Sequence, residues 1–316
     1  MSVRADLHIH TTASDGTWTP AELITEAQKQ QLGLIAVTDH DSVANVAEAM
    51  TLASAAGITL LPAAEICSTK EDLSFHILGY GIDIHNKQLL ELIQHNEALL
   101  EQKDVDSIHL LARDGWPVDE AEFARYTYDR HRGGWRALAY LIDKGLCTGV
   151  SDFFQRIFTP EHDLGFPEFP AISEVITAIH AAGGAALCAH AASGFHGPGL
   201  ERVLDILRTE KFDGFECYHS NHSEEGTQRL LQHCKKHGLL ISGGSDCHGY
   251  ICAGETFGTA FGHCRYAALG RPFAAGCKII RKIFVKTRKT FDFFVGLCYD
   301  ITIKYNKLNT DKKFRH

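Results

Sequence analysis

Short apolar runs alternating with amphipathic stretches organise most of this chain. Leu34-Ile35-Ala36-Val37-Thr38, Ile58-Thr59-Leu60-Leu61-Pro62, Ser74 to Tyr80 and Ala185 to Ala189 have the length and composition of strands. Helix signals fall between them. Thr19-Pro20-Ala21-Glu22 reads as a capping box with Pro at the first helical position, and its helix is expected to stop at Gly33. Further helices are predicted at about Val43 to Ala56 before Gly57, Ser173 to Ala182 before Gly183, Leu200 to Thr209, and Glu224 to His237 before Gly238. Strands near residues 4, 34, 58, 74, 185, 213 and 239 number seven, so an α/β fold with an irregular seven-stranded (β/α) barrel is expected. Residues 85–170 break the alternation and read as a helical insertion over the barrel mouth. The Leu89 to Ala112 stretch is amphipathic there, with a break expected near Asp104, and a further helix is expected over Ala137 to Lys144. The organisation predicted is a first barrel part at 1–84, the insertion at 85–170, a second barrel part at 171–263 and an extension at 264–316.

The polar residues that change this picture stand where strands end. Asp6-Leu7-His8-Ile9-His10 would place two imidazoles on one side of an extended strand, with Asp15 following in a Ser-Asp-Gly turn. Alone, a His-x-His pair means little in a chain with 19 histidines. Asp39-His40-Asp41, Glu65 among apolar neighbours, His76 on an alternating strand, His190 after Ala189 and Asp246-Cys247-His248 repeat the theme. A histidine satisfied by a backbone carbonyl explains any one of them, but not the same end of strand after strand carrying His, Asp or Glu. Mixed imidazole and carboxylate donors suit Mn²⁺, Fe²⁺ or Zn²⁺ better than Mg²⁺ or Ca²⁺. No Ser-His-Asp or Cys-His grouping offers a covalent nucleophile.

Asp-Leu-His-Ile-His-Thr-Thr-Ala-Ser-Asp-Gly, Thr-Asp-His-Asp, the Glu65 and His76 strands, Ala-His-Ala at 189–191 and Gly-Ser-Asp-Cys-His at 244–248 resemble, in order, the motifs of the polymerase and histidinol phosphatase (PHP) superfamily. The resemblance implies a distorted (β/α)7 barrel, a cluster of usually three divalent metals and cleavage of phosphate esters; for this chain two or three ions are expected, Mn²⁺ before Fe²⁺ or Zn²⁺. It implies one metal on His8, His10, Glu65 and Asp246, a second on Glu65, His76 and His190, and a third on Asp15, His40 and His248. The similar branch hydrolyses nucleoside 3′,5′-bisphosphates and trims short oligoribonucleotides from the 5′ end. It also implies an arginine of the insertion on the non-reacting phosphate. Arg132 is the candidate and Arg136 the second, although the usual Arg-Pro-His form is absent. His219 is assigned a place facing the substrate phosphate, either supporting the ligands from behind or delivering a proton. His222 is read as surface and His196 as a loop residue. The alternatives are a histidinol phosphate phosphatase, a non-catalytic metal-stabilised module binding nucleic acid and, more distantly, an amidohydrolase-like reaction.

Composition adds bounds. With 316 residues and 45% apolar content, the chain can bury a full barrel core. Met1 to Asp6 enters the metal motif without an apolar targeting segment, so a cytoplasmic enzyme with no membrane partner is expected. Ten scattered cysteines read as reduced, buried thiols, with Cys247 pointing away from the metals. Residues 264–316 carry a net +10 against −18 before them. Their charges are too many for a membrane helix. The segment reads as an atypical basic extension or an altered reading frame in preference to an RNA- or lipid-binding tail.

Overall fold

A computed structural model describes residues 4–249; the predicted extension at 264–316 lies outside the described residues. Seven strands form one sheet in chain order: β1 Arg4–Asp6, β2 Leu32–Val37, β3 Thr59–Lys70, β4 Leu73–Tyr80, β5 Ala185–Cys188, β6 Gly214–His219 and β7 Leu240–Gly244. Bonds from Leu7 N to Gly243 O (3.2 Å) and from His10 N to Cys247 O (2.9 Å) bring the first and last strands together, so the sheet curls into a nearly closed barrel. The seven predicted strands are all present, but their directions are not uniform. β3 and β4 form an antiparallel hairpin, and β4 is antiparallel to β5 as well, whereas the remaining neighbours are parallel. The two-residue link Glu71-Asp72, both at positive φ, makes this reversal and leaves no room for a crossover helix.

Alternation along the strands sorts side chains into layers. Leu61 and Ala63 of β3, Leu78 and Tyr80 of β4, and Ala185 and Leu187 of β5 fill the barrel interior. Tyr80 spans it and donates from Oη to Leu7 O at 2.8 Å. Ala64, Ile66, Phe75 and Ile77 point outward against the helices. Those helices are α1 Pro20–Lys29, α2 Val46–Ala55, α3 Lys87–Arg113, α4 Glu120–Phe123, α5 Arg136–Asp143, α6 Val150–Asp152, α7 Ile172–Ala181, α8 Leu200–Ile206 and α9 Glu224–His237.

The capping box of α1 is present, with Thr19 accepting from Glu22 N and Glu22 from Thr19 N. That helix ends at Lys29, however, and Gly33 lies inside β2. Gln31 at φ 56° makes the turn into the strand, so the glycine is not the stop that its type suggests. Nor does α3 break near Asp104. The carboxylate there is buried and accepts from Ala137 N at 3.0 Å, tying α3 to the start of α5. Between β4 and β5, helices α3 to α6 pack a core of their own around Leu111, Phe123, Tyr140 and Phe153. This segment touches the barrel mouth, since Gly134 N donates to Asp15 O at 2.8 Å. Among the described residues, no helix is long and apolar enough to cross a membrane.

Candidate metal centre

Glu65 is the centre of the site. It shares the inward face of β3 with Leu61 and Ala63, at the level where the barrel opens, and it is fully buried. Its Oε2 lies 3.0 Å from His8 Nε2, 3.2 Å from His10 Nε2 and 3.3 Å from His40 Nδ1. The other oxygen, Oε1, lies 3.2 Å from His76 Nδ1 and 3.1 Å from His190 Nε2. One carboxylate therefore faces two groups of imidazoles.

Different local devices aim the rest. His8 and His10 follow the last residue of β1 and flank Ile9, which bridges Cys247 on the other side of the mouth. Gly244 at the end of β7 lies so close that a Cβ there would collide with His8. His190 would face outward by strict alternation from β5, but a φ of 27° turns its ring toward Glu65; Asp246 is turned by a φ of 56°. His10 Nε2 and His8 Nε2 stand 3.1 and 3.3 Å from Asp246 Oδ1. His248 Nε2 stands 3.3 Å from Asp15 Oδ1. Among the described residues five groups have ligand atoms within 4.8 Å of one another; three contain the expected donor sets, namely His8, His10, Glu65 and Asp246; Glu65, His76 and His190; and His10, Asp15, His40 and His248, and the other two are His8, Glu216 and His219, and His40, Cys67 and His76.

A domain model described as "PHP domain" matches residues 6–186, more than half of the chain. The chain belongs to the PHP domain family. A 5′-3′ exoribonuclease of Haemophilus influenzae is 30% identical over 78% of this chain and 91% of its own length. A 3′,5′-nucleoside bisphosphate phosphatase of Chromobacterium violaceum is 29% identical over 77% and 86%. Among solved structures, a protein of Bifidobacterium adolescentis assigned as a metal-dependent phosphoesterase superposes with a TM-score of 0.68, at 29% identity over 81% of this chain and 92% of that one. This PHP protein is accordingly a metal-dependent hydrolase of phosphate esters.

Its electrostatics fit a cationic occupant. Burial alone would favour neutral forms throughout, yet His8 and His10 outweigh it: Glu65, Glu216 and Asp246 hold His8 well above the ordinary range, and Asp246, Glu65 and Asp15 push His10 up to about 10. Against the same burial, the surrounding imidazoles hold Glu65, Asp246 and Asp15 well below the carboxylate range. Without metal, protons on His8 and His10 balance the acids. His40 goes the other way, with burial pressing it down to about 3, so its ring is a free base ready to ligate. Among the described residues, His40 Nδ1, His190 Nδ1, His219 Nε2 and Asp15 Oδ1 are buried without a hydrogen bond, although carboxylate or imidazole atoms stand 3.3 Å from three of them out of line. Buried atoms in that condition are costly unless another partner completes them.

Glu216 is not among the residues expected at the site from sequence. This buried acid of β6 accepts from His8 Nδ1 at 3.0 Å and from His190 N at 2.8 Å, fixing the outer nitrogen of one ring and the backbone of another. Its signal was present, an acid between Phe215 and Cys217 on a strand. Asp39 likewise accepts from Thr11 N, Thr11 Oγ1 and Ser14 Oγ at 2.6–2.7 Å, shaping the loop that presents Asp15.

The remaining expectations divide. His219 stands at the mouth, 3.3 Å from Asp246 Oδ2, with Nδ1 accepting from Asn221 N, which keeps a proton on Nε2. Arg132 instead grips Asp143 through both terminal nitrogens at 3.0 and 2.6 Å, and Arg136 pairs with Glu101 and covers Phe123. The guanidinium that reaches the metal rim is that of Arg130, donating to Ser14 O at 3.0 Å. His222 is no mere surface residue: its Nε2 accepts from Ala192 N and its Nδ1 donates to Cys217 O. His196 is buried and donates from Nδ1 to Ser74 O, outside all three donor groups. Cys67, Cys147, Cys188, Cys217 and Cys234 are free and buried, as expected, whereas Cys247 is disulfide-bonded.

Proposed function

We propose that this PHP protein hydrolyses phosphate esters of small nucleotides, either nucleoside 3′,5′-bisphosphates or the 5′ ends of short oligoribonucleotides. The observation that carries the reading is Glu65, whose two oxygens face two imidazole groups at 3.0–3.3 Å. His8, His10, Glu65 and Asp246 would hold one divalent ion, Glu65, His76 and His190 a second, and Asp15, His40 and His248 a third. Mn²⁺ suits this donor set, with Fe²⁺ or Zn²⁺ as substitutes. When bound, such ions would supply an activated water at neutral pH and neutralise phosphoryl oxygens.

The chain's own residues do the rest. Glu216 holds His8 with its Nε2 turned inward. Asp39 and Gly134 fix the loop bearing Asp15 from both sides. His219, with its proton on Nε2, would protonate the leaving oxygen of the ester. In the insertion, Arg130 would take the phosphate that does not react, and Arg132 and Arg136 would brace that segment through Asp143 and Glu101. The relatives named for nucleotide and RNA substrates support this class.

The test is a phosphate-release screen, with metals counted, over nucleoside mono- and bisphosphates, 5′-phosphorylated oligoribonucleotides and histidinol phosphate. A preference for bisphosphates or RNA ends is expected. A metal-loaded protein inert on all of them would instead favour a non-catalytic module, and activity on histidinol phosphate alone would favour that phosphatase.

A further inference from the structure

Cys67 lies beside the centre without belonging to any of the three donor sets. Leu61, Ala63 and Glu65 face the barrel interior, so Cys67, two residues beyond Glu65, faces the same way. It stands directly opposite His76 in the antiparallel register of β3 and β4, where facing Cβ atoms are about 4.5–5.5 Å apart. Its Sγ and one nitrogen each of His40 and His76 lie within 4.8 Å of one another. That is close to the spread of donors around a single ion, whose bonds run about 2.0–2.3 Å. Its backbone N–H is held by Asp41, which Asn96 also braces at 2.7 Å, so the residue is fixed in place.

We propose that His40, Cys67 and His76 form a binding position for a thiophilic divalent ion, such as Zn²⁺ or Cd²⁺, that competes with the mixed imidazole and carboxylate sets around Glu65. The proposal rests on the metal-centre reading given above. A sulfur donor with two imidazoles favours soft ions over Mn²⁺. The thiol proton leaves to solvent as the metal–sulfur bond forms. A neutral imidazole has one lone-pair nitrogen, so each ring given to this ion is withdrawn from a neighbouring set. Thiophilic ions in excess therefore displace Mn²⁺ and inhibit.

The test uses the full chain, freed of metal by chelation and loaded with Co²⁺, with cobalt counted. The wild-type protein should show near-ultraviolet sulfur-to-cobalt charge-transfer absorption, and Cys67→Ser should lack it. Displacing bound Mn²⁺ should take at least about tenfold more Cd²⁺ in the variant, since losing a ligand costs no less than losing a group that merely orients one. A cobalt-loaded wild type without the band overturns the proposal, even if the variant does not fold, and so does a band that survives in Cys67→Ser. If no metal binds at all, the metal-centre reading falls too; normal Mn²⁺ binding without a sulfur band removes this proposal alone.

Discussion

At the barrel mouth Glu65, Glu216 and Asp246 sit among imidazoles in the protein interior, whereas in the insertion Asp143, Glu101 and Glu122 meet Arg132, Arg136 and Lys144 near the surface. The pairings look alike on paper, but their energetics differ. Exposed pairs are worth about 0–1 kcal/mol each, because water screens both the attraction and its loss. Buried charges cost several kcal/mol to desolvate, and such clusters are a poor way to gain stability. A barrel mouth that keeps so many of them is organised for a bound cation, and the insertion's pairs brace a segment laid across it. Removing a charge should therefore be severe in the first region and mild in the second.

The largest effect is expected from Glu65→Gln, which weakens the shared ligand of two donor groups. Phosphate release should fall by about three orders of magnitude, or roughly 4 kcal/mol of barrier, with loss of bound metal. Near-normal turnover with full metal content would dissolve the contrast between the regions. Glu216→Gln should act one step removed, weakening metal affinity by about 10–100-fold while excess Mn²⁺ restores activity. Failure of excess metal to rescue a folded variant would mean that Glu216 does more than orient His8.

Within the insertion the comparison can be sharpened with two arginines. Arg130→Ala should cost about 1.5–3 kcal/mol in kcat/KM on a nucleoside bisphosphate, the range for a charged hydrogen bond, and little on a monophosphate. Arg132→Ala should cost under about 1 kcal/mol on either, since it loses a surface pair with Asp143. Steady-state kinetics on the two substrates decides, and a larger loss at Arg132 would return the phosphate contact to that residue.

The remaining prediction concerns pH. In the metal-free protein the pKa of His10 is raised from 6.5 to about 10, so its stabilising contribution is full below about 6.5 and is lost as pH rises through about 10. Denaturation midpoints of metal-free protein should drop between pH 6.5 and 9 on this account. Metal-loaded protein, whose His10 would already be deprotonated, should lack that component, and identical pH curves with and without metal would contradict it.

Much of this was legible in the sequence, because strands of period two and capped helices declare themselves locally. Thr19 and Glu22 cap α1 as their spacing requires, and the polar residues after β1, β2, β5 and β7 mark one end of a barrel. Other features depended on partners remote in sequence. Gly33 resembles a helix stop but is strand, since pairing of β2 with β1 and β3 overrides its propensity. The reversal of β4, which sets Cys67 opposite His76, follows from a two-residue turn and from pairing with β5 more than a hundred residues away. The sequence by itself determined the element order, the donor types and the end of the sheet that carries them. Only the tertiary structure decided which oxygen of Glu65 meets which ring, that Glu216 orients His8, and that Arg130 rather than Arg132 reaches the rim. Those depend on strand direction, on positive φ at His190 and Asp246, and on how the insertion lies over Asp15, none of which a local pattern encodes.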